Sequence, residues 1–176
     1  MPQSLENTNI AGCFLISCFV SPSLKYALVG RYGRDGNVYD TGYDMIEIEG
    51  KYPNPNFNST IRWHDQMILK LTQSSTKQIV TLNFDPSIPG HWGDNITVLG
   101  LGRTNESHVY PNVLQELLSG YVPNQICNNA FGGIVTSDMI CTYKSGKGQC
   151  YGDSGGPYLL LGSSISEDVQ IGIASW

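Results

Sequence analysis

Charge is scarce in this sequence. Asp, Glu, Lys and Arg make up 14% of its 176 residues, against about 25% in an average soluble protein. Ten basic residues stand against fifteen acidic ones, a net charge of −5, and no Lys/Arg cluster occurs. A nucleic-acid partner needs concentrated positive charge, so that class of partner is excluded. Long apolar runs are missing too. The longest, Ile10 to Val20, falls short of the roughly 18 residues that span a bilayer, so no membrane partner is expected. Its length and position would suit the core of a signal peptide. However, Glu6 precedes it, no Lys or Arg lies before it and no Ala-x-Ala site follows, which favours a buried strand. The five cysteines contain no C-x-x-C pair and the three histidines are scattered. That excludes a zinc site, and no cofactor is expected.

What the sequence has is turn chemistry. Twenty glycines and nine prolines accompany a hydrophobic share of 40%, which argues against both disorder and a coiled coil. A mass of 19.3 kDa allows one domain or two small ones. Short apolar runs recur between breakers: Tyr26 to Val29, Met45 to Glu49, Met67 to Leu71, Ile79 to Leu82, Ile96 to Leu101, Leu159 to Leu161 and Val169 to Ala174. Their length and spacing predict an all-β barrel or sandwich. KYPNPNFNST reads as a loop, and NFDPSIPGHWGDN as an inter-lobe linker. Val113 to Leu118 fits helical spacing as well as a strand. Sequons beginning at Asn58, Asn95 and Asn105 lean toward secretion.

The sharpest chemical signal is Gly152-Asp153-Ser154-Gly155-Gly156-Pro157. Glycines beside a serine leave its hydroxyl open to a substrate carbonyl, and they allow turns that point backbone N–H groups inward. Such N–H groups can hold the oxyanion of a tetrahedral intermediate. A plain tight turn between strands would read the same way. The letters also satisfy G-x-S-x-G, but that elbow needs a strand before the serine and a helix after it. Here a Gly/Lys loop precedes and the strand-like Pro157 to Leu161 follows, so the elbow is rejected.

In that context GQCYGDSGGPYLL resembles the nucleophile segment of the chymotrypsin/trypsin-like serine endopeptidases. HDQMILKL resembles the family's aspartate segment, TVLGLGRT its T-V-x-G-W-G with Leu101 replacing Trp, and IGIASW its substrate-pairing strand. PNVLQE and the Cys127 to Cys141 interval follow in the same order, so the resemblance covers about residues 18 to 176. It implies an all-β fold of two packed six-stranded antiparallel β-barrels, incomplete at the N- and C-termini. Lobe one is about 1–85 and lobe two about 95–176. It implies acyl transfer from Ser154, with Asp65 as the second catalytic residue and the N–H groups of Gly152 and Ser154 as the oxyanion hole. Gly148, Ser175 and Trp176 would line the substrate cleft. Gly148 carries no charge at the pocket base, which favours an apolar over a basic substrate side chain. Cys127 would pair with Cys141. The implied partners are protein or peptide substrates and protease inhibitors, and the implied location is extracellular.

The sequence departs from the family pattern in one decisive place. The family's T-A-A-H-C aligns on Cys18, and the histidine's position is held by Ser17. His64 adjoins Asp65, so on a strand its side chain would point the other way. His91 and His108 read as surface polar residues. Without a base Ser154 stays protonated, and losing the histidine of such a triad costs on the order of 10⁶ in kcat. The expectation is therefore a serine endopeptidase by descent that is inactive as this chain, the alternative being a non-catalytic protein-binding module. No I-V-G-G start supplies an amine for Asp153, so that carboxylate is expected to swing out or leave the Gly152 loop unformed. The pattern also reads as cut short at both ends, which would leave Cys150 without its partner.

Overall fold

The computed structural model describes residues 13–16, 23–34, 42–104 and 108–176. It is mostly β with one short helix, arranged as a four-stranded and a six-stranded sheet. This agrees with the all-β, two-barrel expectation. The first sheet contains β1 (Cys13–Ile16), β2 (Tyr26–Val29), β3 (Asp44–Pro53) and β4 (Met67–Leu71), in the order β1-β4-β3-β2. All its pairings are antiparallel.

In β4 the alternation is clean: Met67, Leu69 and Leu71 are buried while Ile68 and Lys70 face outward, the period of two that a half-buried strand requires. β3 is longer than the sequence predicts. Lys51, Tyr52 and Pro53 pair with Leu69, Ile68 and Met67, so the segment read as a loop becomes irregular only at Asn54. The ladder overrides the local breakers, and Pro53 lies beyond the stretch that pairs with β2, where β3 has a ladder on one side only, an edge position that proline tolerates.

The second sheet runs β5 (Thr81–Leu82), β10 (Val169–Ile173), β9 (Pro157–Leu160), β6 (Asn95–Gly100), β7 (Gln115–Val122) and β8 (Cys141–Tyr143). β6 sits between β7 and β9, so its consecutive Ile96, Thr97 and Val98 are all buried. Ile96, Val98, Tyr158 and Ala174 form the core cluster, with Leu117, Ile140 and Ile171 packed against it. The ambiguous Val113 to Leu118 stretch resolves into β7 from Gln115 onward, because six residues of β6 supply its ladder. Of the Ile79 to Leu82 run only Thr81 and Leu82 are strand, and they pair with β10 in parallel, not antiparallel. Helix α1 (Asn124–Ala130) was not foreseen; it has no side-chain N-cap and no acidic residue in its first turn.

Backbone contacts fix the two sheets to one another. The Arg34 N–H donates to the Asn112 carbonyl at 2.8 Å and the Leu114 N–H to the Tyr32 carbonyl at 2.8 Å, flanking a bridge between Gly33 and Val113. Further along, the Trp63 indole donates to the Ile134 carbonyl at 3.0 Å. No helix among the described residues is long and apolar enough to cross a membrane.

Candidate active site

Asp65 lies two residues ahead of β4, at the end of a turn, and is only 8% exposed. Burying a carboxylate demands hydrogen-bond partners. One comes from the other sheet: the Ser175 hydroxyl donates to Asp65 Oδ2 at 2.6 Å. The Ser175 carbonyl in turn accepts from the Ser154 hydroxyl at 3.2 Å. Asp65, Ser175 and Ser154 therefore form a continuous chain across the junction of the sheets. Ser175 is more than a cleft-lining residue here, because it bridges the other two.

The loop carrying Ser154 is built from backbone. The Gly155 N–H donates to the Ala174 carbonyl and the Ala174 N–H to the Gly156 carbonyl, each at 2.8 Å, while the Gly156 N–H closes a turn on the Asp153 carbonyl at 2.8 Å. Gly152 adopts φ +98°, a conformation open to glycine and strained for other residues. The N–H groups of Gly152 and Ser154 donate to no group among the described residues. Asp153 does not swing free. Its carboxylate accepts the Gly102 N–H at 2.8 Å and the Cys150 N–H at 2.7 Å. A Cβ on Gly102 would strike that carboxylate and its backbone, so the glycine is what lets β6's extension approach so closely.

A cleft of about 880 Å³ opens beside this chain, with Asp65, Gly148, Gln149, Phe131, Ser175 and Trp176 among its walls. Gly148 is exposed, and a Cβ there would meet nothing within 4 Å. Its neighbour Gln149 is anchored at both ends: it accepts from the buried Tyr158 hydroxyl at 2.6 Å and donates to the Trp176 carbonyl at 3.1 Å. Burial pushes the Tyr158 phenol up from its ordinary value; a hydrogen bond to Thr142 opposes the rise and the Asp153 charge adds to it. The Trp176 ring stands edge-on to Phe131, with centroids 5.4 Å apart. Cys127 and Cys141 form a disulfide that ties α1 to β8, and Cys150 is a free, exposed thiol.

A family model described as Trypsin matches residues 11–176. The chain belongs to the trypsin family. Among curated relatives it is 33% identical to a trypsin of Sus scrofa over 145 residues, covering 80% of this chain and 60% of that protein. It is 35% identical to a trypsin of Xenopus laevis over 154 residues, 83% of this chain and 59% of the other. It is 31% identical to Kallikrein-5 of Homo sapiens over 143 residues, 79% and 46% respectively. The chain thus spans about half to three-fifths of the length of these trypsin-family relatives.

The histidines of this trypsin-family chain lie apart from Ser154. Contrary to the strand position considered above, His64 lies in the turn before β4 at φ +54°. Its Nδ1 lies 2.9 Å from Asp138 Oδ2. This pairing is invisible in the sequence, because the two residues sit in separate turns far apart along the chain. His91 is exposed, with its ring 3.9 Å from Asp94, and His108 lies in an exposed loop at φ +62°. Ser17 and Cys18 fall outside the described residues.

Proposed function

We propose that this chain is a peptide-binding serine endopeptidase scaffold in which acyl transfer from Ser154 is idle. One observation supports the reading above others: the Ser154 hydroxyl is spent on the Ser175 carbonyl at 3.2 Å, and no imidazole reaches it among the described residues. A serine hydroxyl without a base stays protonated and weakly nucleophilic. The other parts have their roles from the family. Asp65 would orient a base, the N–H groups of Gly152 and Ser154 would hold an oxyanion, and Ser175 and Trp176 would pair with substrate backbone. Gly148, with open space above it, would admit an apolar side chain. Lobes of about 1–85 and 95–176, an extracellular location, and protein substrates and protease inhibitors as partners belong to the same proposal.

A second reading, a non-catalytic protein-binding module, draws on the same Ser154 contact. An ester separates the two. With p-nitrophenyl acetate we expect no burst from the natural chain and a burst matching the protein concentration from Ser17→His. A burst from the natural chain would refute the idle serine. No burst from a folded Ser17→His would remove Ser154 from the chemistry and leave the binding module.

A further inference from the structure

Three of the four arginines in the sequence, Arg31, Arg34 and Arg103, lie together on one face of a protein with net negative charge. Two of them form a stacked ladder with tyrosines. The Arg34 guanidinium carbon lies 4.1 Å from the Tyr110 ring centroid, and that of Arg103 lies 5.6 Å from the same ring and 4.7 Å from Tyr151. The stack is held in place. Arg34 donates through Nη1 to the Leu101 carbonyl at 3.2 Å, and Arg103 through Nε to the Tyr110 hydroxyl at 3.1 Å. The Arg103 N–H donates to the Tyr151 carbonyl at 3.0 Å. The Arg31 side chain donates to the Arg34 carbonyl at 2.6 Å, and the Arg34 N–H bond to Asn112 fixes the backbone of that segment.

Neither Arg34 nor Arg103 pairs with a carboxylate among the described residues. The Asp153 carboxylate, two residues after Tyr151, is already held by two backbone N–H groups. Among the described residues nothing accepts from Arg34 Nε and Nη2 or from either Nη group of Arg103, which leaves them for an outside acceptor. A guanidinium laid on a ring is pre-oriented, so it loses less freedom when it grips a carboxylate through two parallel bonds.

The ladder also touches the nucleophile loop. Tyr151 directly precedes Gly152, and a Cβ on Gly152 would lie 3.4 Å from the Tyr110 ring. None of the four ladder residues lines the cleft that Ser175 and Trp176 line. A peptide carbonyl seated on the N–H groups of Gly152 and Ser154 would therefore lie next to the ladder, whose residues are distinct from those that wall the cleft. We infer that Arg34 and Arg103, stacked on Tyr110 and Tyr151, form a subsite for an acidic side chain of a bound peptide, beside the scissile position and outside the cleft. This inference rests on the peptide-binding reading above, but it needs no turnover.

The test is fluorescence anisotropy on the full chain with three fluorescein-labelled Ala/Gly/Ser octapeptides, carrying two Glu, two Gln or two Lys. The Glu peptide should bind at least about tenfold tighter than the Gln peptide, the scale of one charge-assisted hydrogen bond, and tighter still than the Lys peptide. Arg34→Met with Arg103→Met should abolish the preference, whereas Lys25→Met with Lys70→Met, which removes the same charge elsewhere, should keep it. Should the double arginine variant fail to fold, Arg103→Lys keeps the charge but loses the planar fork, and should cut the preference several-fold. Equal binding of the three peptides overturns the inference. So does a preference that survives loss of both arginines, and so does tight binding of a heparin-derived hexasaccharide with no discrimination among the peptides. Labelling of Ser154 is read separately, so failure of the ladder and failure of the idle-serine reading give different results.

Discussion

The two halves of the candidate site are specified by different means. The Ser154 side is a backbone construction: Gly152 at φ +98°, reciprocal Gly155, Gly156 and Ala174 bonds, and a carboxylate at Asp153 capped by two N–H groups. The Asp65 side depends on a buried side chain that meets Ser175 across 110 residues of sequence. Backbone geometry is written locally in glycines, so that half is complete in itself. A side-chain relay needs the right residue at every link, and in the proposed reading Ser17, in the histidine's place, would interrupt it.

Restoring the relay should give the largest effect. Ser17→His should raise the rate of Ser154 acylation by about 10² to 10⁴-fold, the range of general base catalysis, as read by stopped-flow with an activated ester. An unchanged rate in a folded variant would mean that the backbone half is also impaired. Next comes the wall of the cleft. Cys127→Ala with Cys141→Ala opens a loop of sequence separation 14 and should lower stability by about 3 kcal/mol in urea titrations. A loss spread evenly over both sheets would contradict the view that this half is separately braced.

The link between the halves should be weaker than either. Ser175→Ala leaves Asp65 Oδ2 without that donor and should cost about 1–3 kcal/mol, while Ser175→Thr, which keeps a hydroxyl, should cost less. The smallest effect is a pH dependence in the backbone half. Burial raises the Tyr158 phenol, so the folded state holds its proton more tightly than the unfolded chain. Its stability contribution is present in full below the unfolded value near 10 and is lost as pH rises through the folded value. Natural chain and Tyr158→Phe should therefore converge in Tm, or cross, on moving from pH 8 to pH 11. A constant difference would place the phenol in a wetter site.

Much of the fold was legible because strands announce themselves by period. Met67 to Leu71 alternates as it should, and Val169 to Ile173 lies where its apolar run predicts. The ambiguous β7 was decided by a partner strand that no local window contains. The residues later placed in the site were named from motif resemblance, and the geometry around Gly152 follows from glycine itself. What escaped was everything that depends on distant residues meeting: the Ser175 hydroxyl on Asp65, His64 beside Asp138, and the stacking of Arg34 and Arg103 on Tyr110 and Tyr151. His64 was misjudged for a local reason. A left-handed backbone in a histidine has no sequence signal, so the strand geometry assigned to His64 does not hold, although the Met67 to Leu71 run itself does.

In the proposed function Ser154 sits in a formed site without a base. The most direct measurement is intact-mass spectrometry of the natural chain after exposure to a fluorophosphonate, with Ser154→Ala as the blank. No stoichiometric adduct on Ser154 is expected within the time that fully labels an active trypsin. Rapid, stoichiometric labelling at Ser154 would contradict it.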